Sequence, residues 1–197
     1  MESDWEIEIG GAAPVIDASW AGFEDLRLFP QRANALPETQ QLPGLGEALV
    51  RLNADASPVW TSKCDVWQLE EWDADELGAP FGSALDGVAC YIDLLPRQDE
   101  HWDDVARVAA WCKALCAAIR GVSLRSCRLD LVIRRALISK DGQNRLGVTA
   151  YLSACGPDRD SASEALQAAL GAFASSIAAR PSAANEASKL QLRKPGE

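Results

Sequence analysis

Histidine is all but missing from this 197-residue chain, in which His101 stands alone. Zinc sites built on imidazole and acid–base triads would have to run through that one residue. It lies in the acidic stretch DEHWDD with no convergent nucleophile and reads as a solvated residue at a helix start. Glycine-rich phosphate loops (GxGxxG, P-loop) are also missing, as are the G-x-S-x-G nucleophile turn and the H-E-x-x-H zinc motif. No apolar run approaches the length of a membrane span, roughly 18 residues or more. No membrane partner is therefore expected.

Bases are scarce in one region. Residues 1–80 hold 4 bases against 16 acids, a net −12, while the remainder carries +2 and the whole chain −10. An acidic surface repels phosphate backbones, so nucleic acid is not an expected partner, whereas a basic protein would be steered toward it. Cysteine is too sparse for a disulfide scaffold, with six in 197 residues. Most of these thiols sit in apolar runs (VACYI, WCKALC, YLSAC) and read as small buried hydrophobes. The opening MESDWEIE is acidic and lacks the apolar run of a secretory leader. The resulting expectation is a soluble, cytoplasmic protein of a reducing compartment.

The composition is otherwise that of a globular chain, with 48% hydrophobic and 24% charged residues. Seven tryptophans are many for this length, and each needs apolar contact and a partner for its N–H. WEIEI alternates like a half-buried strand, Gly10-Gly11 breaks it, and PVIDASW resumes an extended pattern. EDLRLF reads as a further short strand, and residues 30–44 as a loop. LGEALVRLN carries Leu45, Leu49 and Leu52 on one side of a helix, and SPVWTSKCDVWQL is extended from Pro58 onward.

Residues 70–87 are acidic, then rich in small residues, and read as a seam between halves at 1–80 and 81–180. Beyond it DGVACYIDLLP reads as a buried strand. A helix follows over 99–120, with acids in its first turn and Arg120-Gly121 at its end. SCRLDLVIRRALIS and RLGVTAYLSAC form a hairpin around KDGQN. An Ala-rich helix over 160–179 places Leu166, Leu170, Phe173 and Ile177 on one face. Residues 181–197 read as a disordered tail.

The expected fold class is α+β, packed as one compact unit. From residue 88 the order strand, helix, strand, strand, helix is a ferredoxin-like βαββα plan lacking its last strand. The β-rich first half, with one short helix, echoes it faintly (PVIDASW against CYIDLLP), as a degenerate repeat would.

An aspartate recurs inside four apolar strands: Asp17, Asp65, Asp93 and Asp130. Alternation places Tyr91 with Asp93, Asp130 with Val132 and Arg134, Lys63 with Asp65 and Trp67, and Thr149 with Tyr151. Should these faces coincide, the sheet has an oily side and a mixed polar one, with Asp17, Asp65, Asp93, Asp130, Arg134 and Tyr151 as the polar set. Palm-type nucleotidyltransferases hold two Mg²⁺ with carboxylates on such strands, but this chain has no D-x-D there. Pairing of each Asp with Lys63, Arg128, Arg134 or Arg135 is the plainer reading. Cys112 and Cys116, four apart on a helix with no second pair, read as packing.

These features lead to a non-enzymatic protein-binding factor, of the immunity, antitoxin-like or accessory kind, presenting an acidic, Trp-containing surface to a basic partner. Trp67, Glu70, Glu71, Trp72, Asp73, Asp75 and Glu76 are its candidate contact residues, with Trp72 expected to be exposed and Trp60 to be core. No cofactor, metal or catalytic residue is assigned. A metal-dependent palm-like enzyme and a structural subunit of a larger bacterial-type assembly, pairing through an open sheet edge or the first-half surface, are the alternatives.

Overall fold

The computed structural model describes residues 1–80, 82–97, 102–138 and 144–179. Among them, short alternating segments near the start give β1 (Glu2–Glu8) and β2 (Val15–Ala18), separated by the Gly10-Gly11 break. α1 (Pro37–Gln41) and α2 (Pro43–Asn53) follow, then β3 (Val59–Gln68) and β4 (Asp86–Pro96). α3 (Val105–Arg120), β5 (Cys127–Ile138), β6 (Asn144–Gly156) and α4 (Arg159–Ala178) complete the order. The fold is mixed α+β. Among the described residues no helix is long and apolar enough to cross a membrane.

Six strands make one sheet in the order β1-β5-β6-β4-β3, with β2 continuing beside β5 beyond the end of β1. β1 and β2 run parallel to β5, and the other neighbours are antiparallel. The strands come from both sides of the 70–87 segment, and one core joins them. On one face, Cys90, Ile92 and Leu94 of β4, Leu129, Leu131 and Ile133 of β5, and Val148, Ala150 and Leu152 of β6 are fully buried. They lie under Leu45, Leu49 and Leu52 of α2, Val108, Cys112 and Leu115 of α3, and Leu166, Leu170 and Phe173 of α4. Each large side chain among them contributes about 1.5–3 kcal/mol on burial.

Several expectations are corrected. EDLRLF is not a strand: Arg27 turns back onto the Asp25 carboxylate through Nε at 2.8 Å and Nη2 at 2.7 Å, holding a local turn. Residues 30–44 are not plain loop but a 3-10 turn (Pro30–Ala35), α1 and the start of α2. Each of these three helical pieces has a proline in its first turn, where the missing N–H costs nothing. α3 begins at Val105, not at 99, because Asp104 takes the cap position and accepts the Ala106 N–H at 2.8 Å. The acids expected in its first turn therefore precede the helix. The hairpin turn at 139–143, His101 and the tail from 180 lie outside the described residues.

β3 carries a register shift between Thr61 and Cys64, so Ser62 and Lys63 together face Asp93 across the pair. The sheet also curls at this end until β2 meets β3. Ser62 Oγ donates to the Asp17 carbonyl, and Lys63 Nζ lies 3.7 Å from the Asp17 carboxylate.

Candidate functional site

Among the described residues no helix covers the second face of the sheet; two loops close its ends instead. At one end Ile16, Ala18, Trp60, Leu95 and Ala136 form a small apolar cluster under Phe23. Gly147 makes it fit, because a Cβ there would stand 2.7 Å from Ile16 Cδ1 and 3.0 Å from the Leu94 carbonyl. Trp60 is buried as expected and donates from Nε1 to the Pro96 carbonyl at 3.1 Å, with the Arg27 guanidinium 3.9 Å from its ring centre. At the other end the acidic 69–85 segment lays Trp72, Ala74, Leu77 and Ala79 over Cys155. Trp72 Nε1 would be 3.0 Å from a Cβ at Gly87. Trp72 is thus half-buried, and Trp67, 37% exposed, is the more open of the two.

Between these covers lies a polar trough five strands wide. Paired residues in a sheet point the same way. The registers therefore place Asp65, Tyr91, Tyr151, Asp130 and Asp4 in one row and Asp93, Thr149, Val132 and Glu6 in the next. Trp67 stands two residues along β3 from Asp65, on the same face and diagonal to Tyr91. Three rings form a ladder: Trp67 to Tyr91 at 6.3 Å and Tyr91 to Tyr151 at 6.1 Å between centroids. Arg134 ends it, donating from Nη1 to the Tyr151 hydroxyl at 3.1 Å with its guanidinium 5.5 Å from that ring's centre.

A hydrogen-bond chain crosses the same floor. Glu8 Oε2 accepts from Arg134 Nη2 at 2.8 Å, Arg134 Nη1 donates to Thr149 Oγ1 at 3.4 Å, and Thr149 Oγ1 donates to Asp93 Oδ1 at 2.6 Å. Asp93 is only 6% exposed. Burial pushes its carboxyl above the ordinary value, against the opposing pull of the Thr149 hydroxyl, Lys63 and Arg134. Burial, followed by the charges of Asp93 and Asp65, pushes the Tyr91 phenol up to about 12.

The other strand aspartates do not join Asp93. Asp130 is held by Arg128 Nε at 2.8 Å, and Asp17 sits at the rim beside Lys63. Asp65 turns its carboxylate to the Val66 N–H at 2.7 Å. Among the described residues no three carboxylate, thiol or imidazole groups come together as metal ligands would. Of the acidic segment, Glu70, Glu71, Asp73, Asp75 and Glu76 are exposed along one end of the trough. The hydrogen bond that Arg128 donates to Asp130 does most to hold its guanidinium charged, and Glu76 adds to that field.

Both outer strands blunt their edges in the same manner. Asp4 accepts the Trp5 N–H at 2.8 Å on β1 as Asp65 does for Val66 on β3. Asn53 Oδ1 takes the Thr61 N–H at 3.1 Å, and Arg120 donates to the Ser3 carbonyl through Nε at 3.1 Å.

Sequence reasoning missed Glu8 and the cleft beside β3. The WEIEI alternation carried the signal for Glu8, whereas the cleft, walled by Trp20, Leu26, Glu38, Leu49, Cys64 and Tyr91, is assembled from segments far apart in the chain. No family model, curated sequence or solved structure matches this chain.

Proposed function

We propose that this chain is a non-enzymatic protein-binding factor that receives a basic segment of another protein on the open face of its sheet. The observation that carries this reading is the joining of two features on one uncovered surface. The acids of β1 (Glu2, Asp4, Glu6, Glu8) and of the 70–76 segment border the trough, and the Trp67–Tyr91–Tyr151 ladder crosses it. Aromatic side chains supply rigid contact area, and surrounding carboxylates supply attraction and register toward a cationic partner. Arg128 and Arg134 neutralise Asp130 and Glu8, so the field toward an incoming base is carried by Glu2, Asp4, Glu6 and the acids of the 70–76 segment.

The palm-like enzyme finds no support in aspartates held apart by their own partners. Self-assembly through a sheet edge is opposed by the side chains that occupy the outward groups of β1 and β3. A finer fold description goes with the proposal. In the order β5-β6-β4-β3, β3 stands antiparallel to β4 where a ferredoxin-like sheet places its last strand, supplied here from before the unit rather than after it. The repeat has no counterpart in the pairing, since β2 runs beside β5 and β3 beside β4. Six free thiols, five of them buried, support a reducing, cytoplasmic setting.

The test is titration of a panel of capped Arg/Lys-rich peptides, with calorimetry at two salt concentrations. The reading expects binding that weakens about tenfold or more between about 50 and about 300 mM salt, and that Glu6→Lys reduces further. Failure of every basic peptide to bind, or an affinity indifferent to salt and to Glu6→Lys, overturns it.

A further inference from the structure

Beside the trough, where the 19–29 loop and α1 approach the bulged part of β3, lies a cleft of about 440 Å³. Its floor is apolar, made by Leu26, Leu36 and Leu49, of which Leu26 and Leu49 are core residues. Its walls are aromatic. Trp20, 43% exposed, and Tyr91, a rung of the ladder, both line it. The cleft therefore shares Tyr91 with the trough.

The charge inside is mostly of one sign. At the sulfur of Cys64, which lines the cleft, burial comes first and the carboxylates of Glu38, Asp65 and Asp93 follow, together pushing the thiol up to about 12. The Tyr91 phenol feels the same field from Asp93 and Asp65. Glu24 also lines the cleft but is held by Arg32 Nη1 at 2.7 Å. Lys63 is the one cation among the described lining residues. Its ammonium lies over the Trp20 ring, 5.9 Å from the ring centre, and 3.7 Å from Asp17, so an incoming cation must displace it from that face.

We propose that this cleft takes the side chain of a lysine or arginine from the bound partner. The aliphatic stem would lie on Leu26, Leu36 and Leu49, and the cationic head would meet Glu38 against the face of Trp20. A long side chain with an apolar stem and a charged tip matches an apolar floor beneath an acidic, aromatic mouth. The inference rests on the protein-binding reading and names one contact within it: the trough receives the basic segment, and the cleft anchors one of its side chains.

The test uses the full chain and capped single residues, N-acetyl-lysine amide and N-acetyl-arginine amide, with N-acetyl-norleucine amide as the uncharged counterpart. Two-dimensional NMR follows the Trp20 indole and the Cys64 amide. The expected result is saturable shifts with a cationic residue, at least about tenfold weaker binding of norleucine, a comparable loss in Glu38→Gln, and tighter binding in Lys63→Gln. Glu38 is half-buried on a short helix, and the unperturbed spectrum of Glu38→Gln elsewhere would show that its fold is kept. Equal binding of norleucine, no saturable shift with either cation, or an unchanged Glu38→Gln overturns the proposal. Peptide binding to the trough with no single-residue binding in the cleft would overturn this inference alone, whereas loss of both overturns the protein-binding reading as well.

Discussion

On the helix side of β4, Cys90, Ile92 and Leu94 lie within the apolar core, whereas Tyr91 and Asp93, interleaved with them, face rings, a hydroxyl and bases. The same backbone thus serves two surfaces. One is closed by three helices and contributes stability through burial. The other is closed only at its ends, over Gly147 and Gly87, and leaves carboxylates between them. Apolar residues there would have served stability better. The polar middle of the open face costs the fold something, as a retained, buried Asp93 shows.

The largest way to sharpen this contrast is to truncate neighbours on opposite faces. Leu152→Ala, in the dry core, is expected to cost about 3 kcal/mol in urea denaturation. Tyr151→Phe, next in sequence but on the trough, is expected to cost about 1 kcal/mol. Equal losses would erase the distinction between the faces. Gly147→Ala tests the end cover. Its added methyl must displace Ile16 or strain against the Leu94 carbonyl, for an expected loss of about 1–3 kcal/mol by the same measurement. A neutral result would mean that β2 is not packed as described.

Thr149→Val probes the floor of the trough. It removes the hydroxyl that donates to Asp93 and is expected to cost about 1–3 kcal/mol at neutral pH, with Thr149→Ser close to wild type. Asp93→Asn has the smallest effect, and its sign is what matters. Asp93 titrates above the ordinary carboxylate value, so between the two the folded chain keeps a proton that the unfolded chain has lost. Stability therefore falls as pH rises through that window. Asparagine removes that slope while still accepting from Thr149, so the urea midpoint of Asp93→Asn should equal or exceed wild type near neutral pH. A midpoint well below wild type would mean that the Asp93 charge stabilises the fold.

Much of the frame was legible in the sequence because it rests on period and punctuation. The continuous apolar run to Pro96 marked β4, and Leu166, Leu170, Phe173 and Ile177 marked α4. What was not legible depended on side chains answering distant or unusual partners. Pro30, Pro37 and Pro43 looked like loop residues yet each opens a helical piece. The Asp25–Arg27 pair turned an apparent strand into a turn. The bulge at Ser62-Lys63, which sets both residues opposite Asp93, has no local signature, and neither does the cleft. The carboxylates of the trough and the pairing of Asp130 with Arg128, two residues back on the same strand, could be read from alternation, but Asp93 with Thr149 and Glu8 with Arg134 needed the register between strands.

The most direct measurement is a map of where a basic peptide lands. With an isotope-labelled chain and a capped Arg/Lys-rich peptide, the expected result is amide and ring shifts concentrated at Trp67, Tyr91, Asp93, Val132, Thr149 and Tyr151, with α3 and α4 unmoved. Shifts confined to the helices, or scattered over the acidic surface without the ladder, would contradict the assignment of the open sheet face as the binding surface.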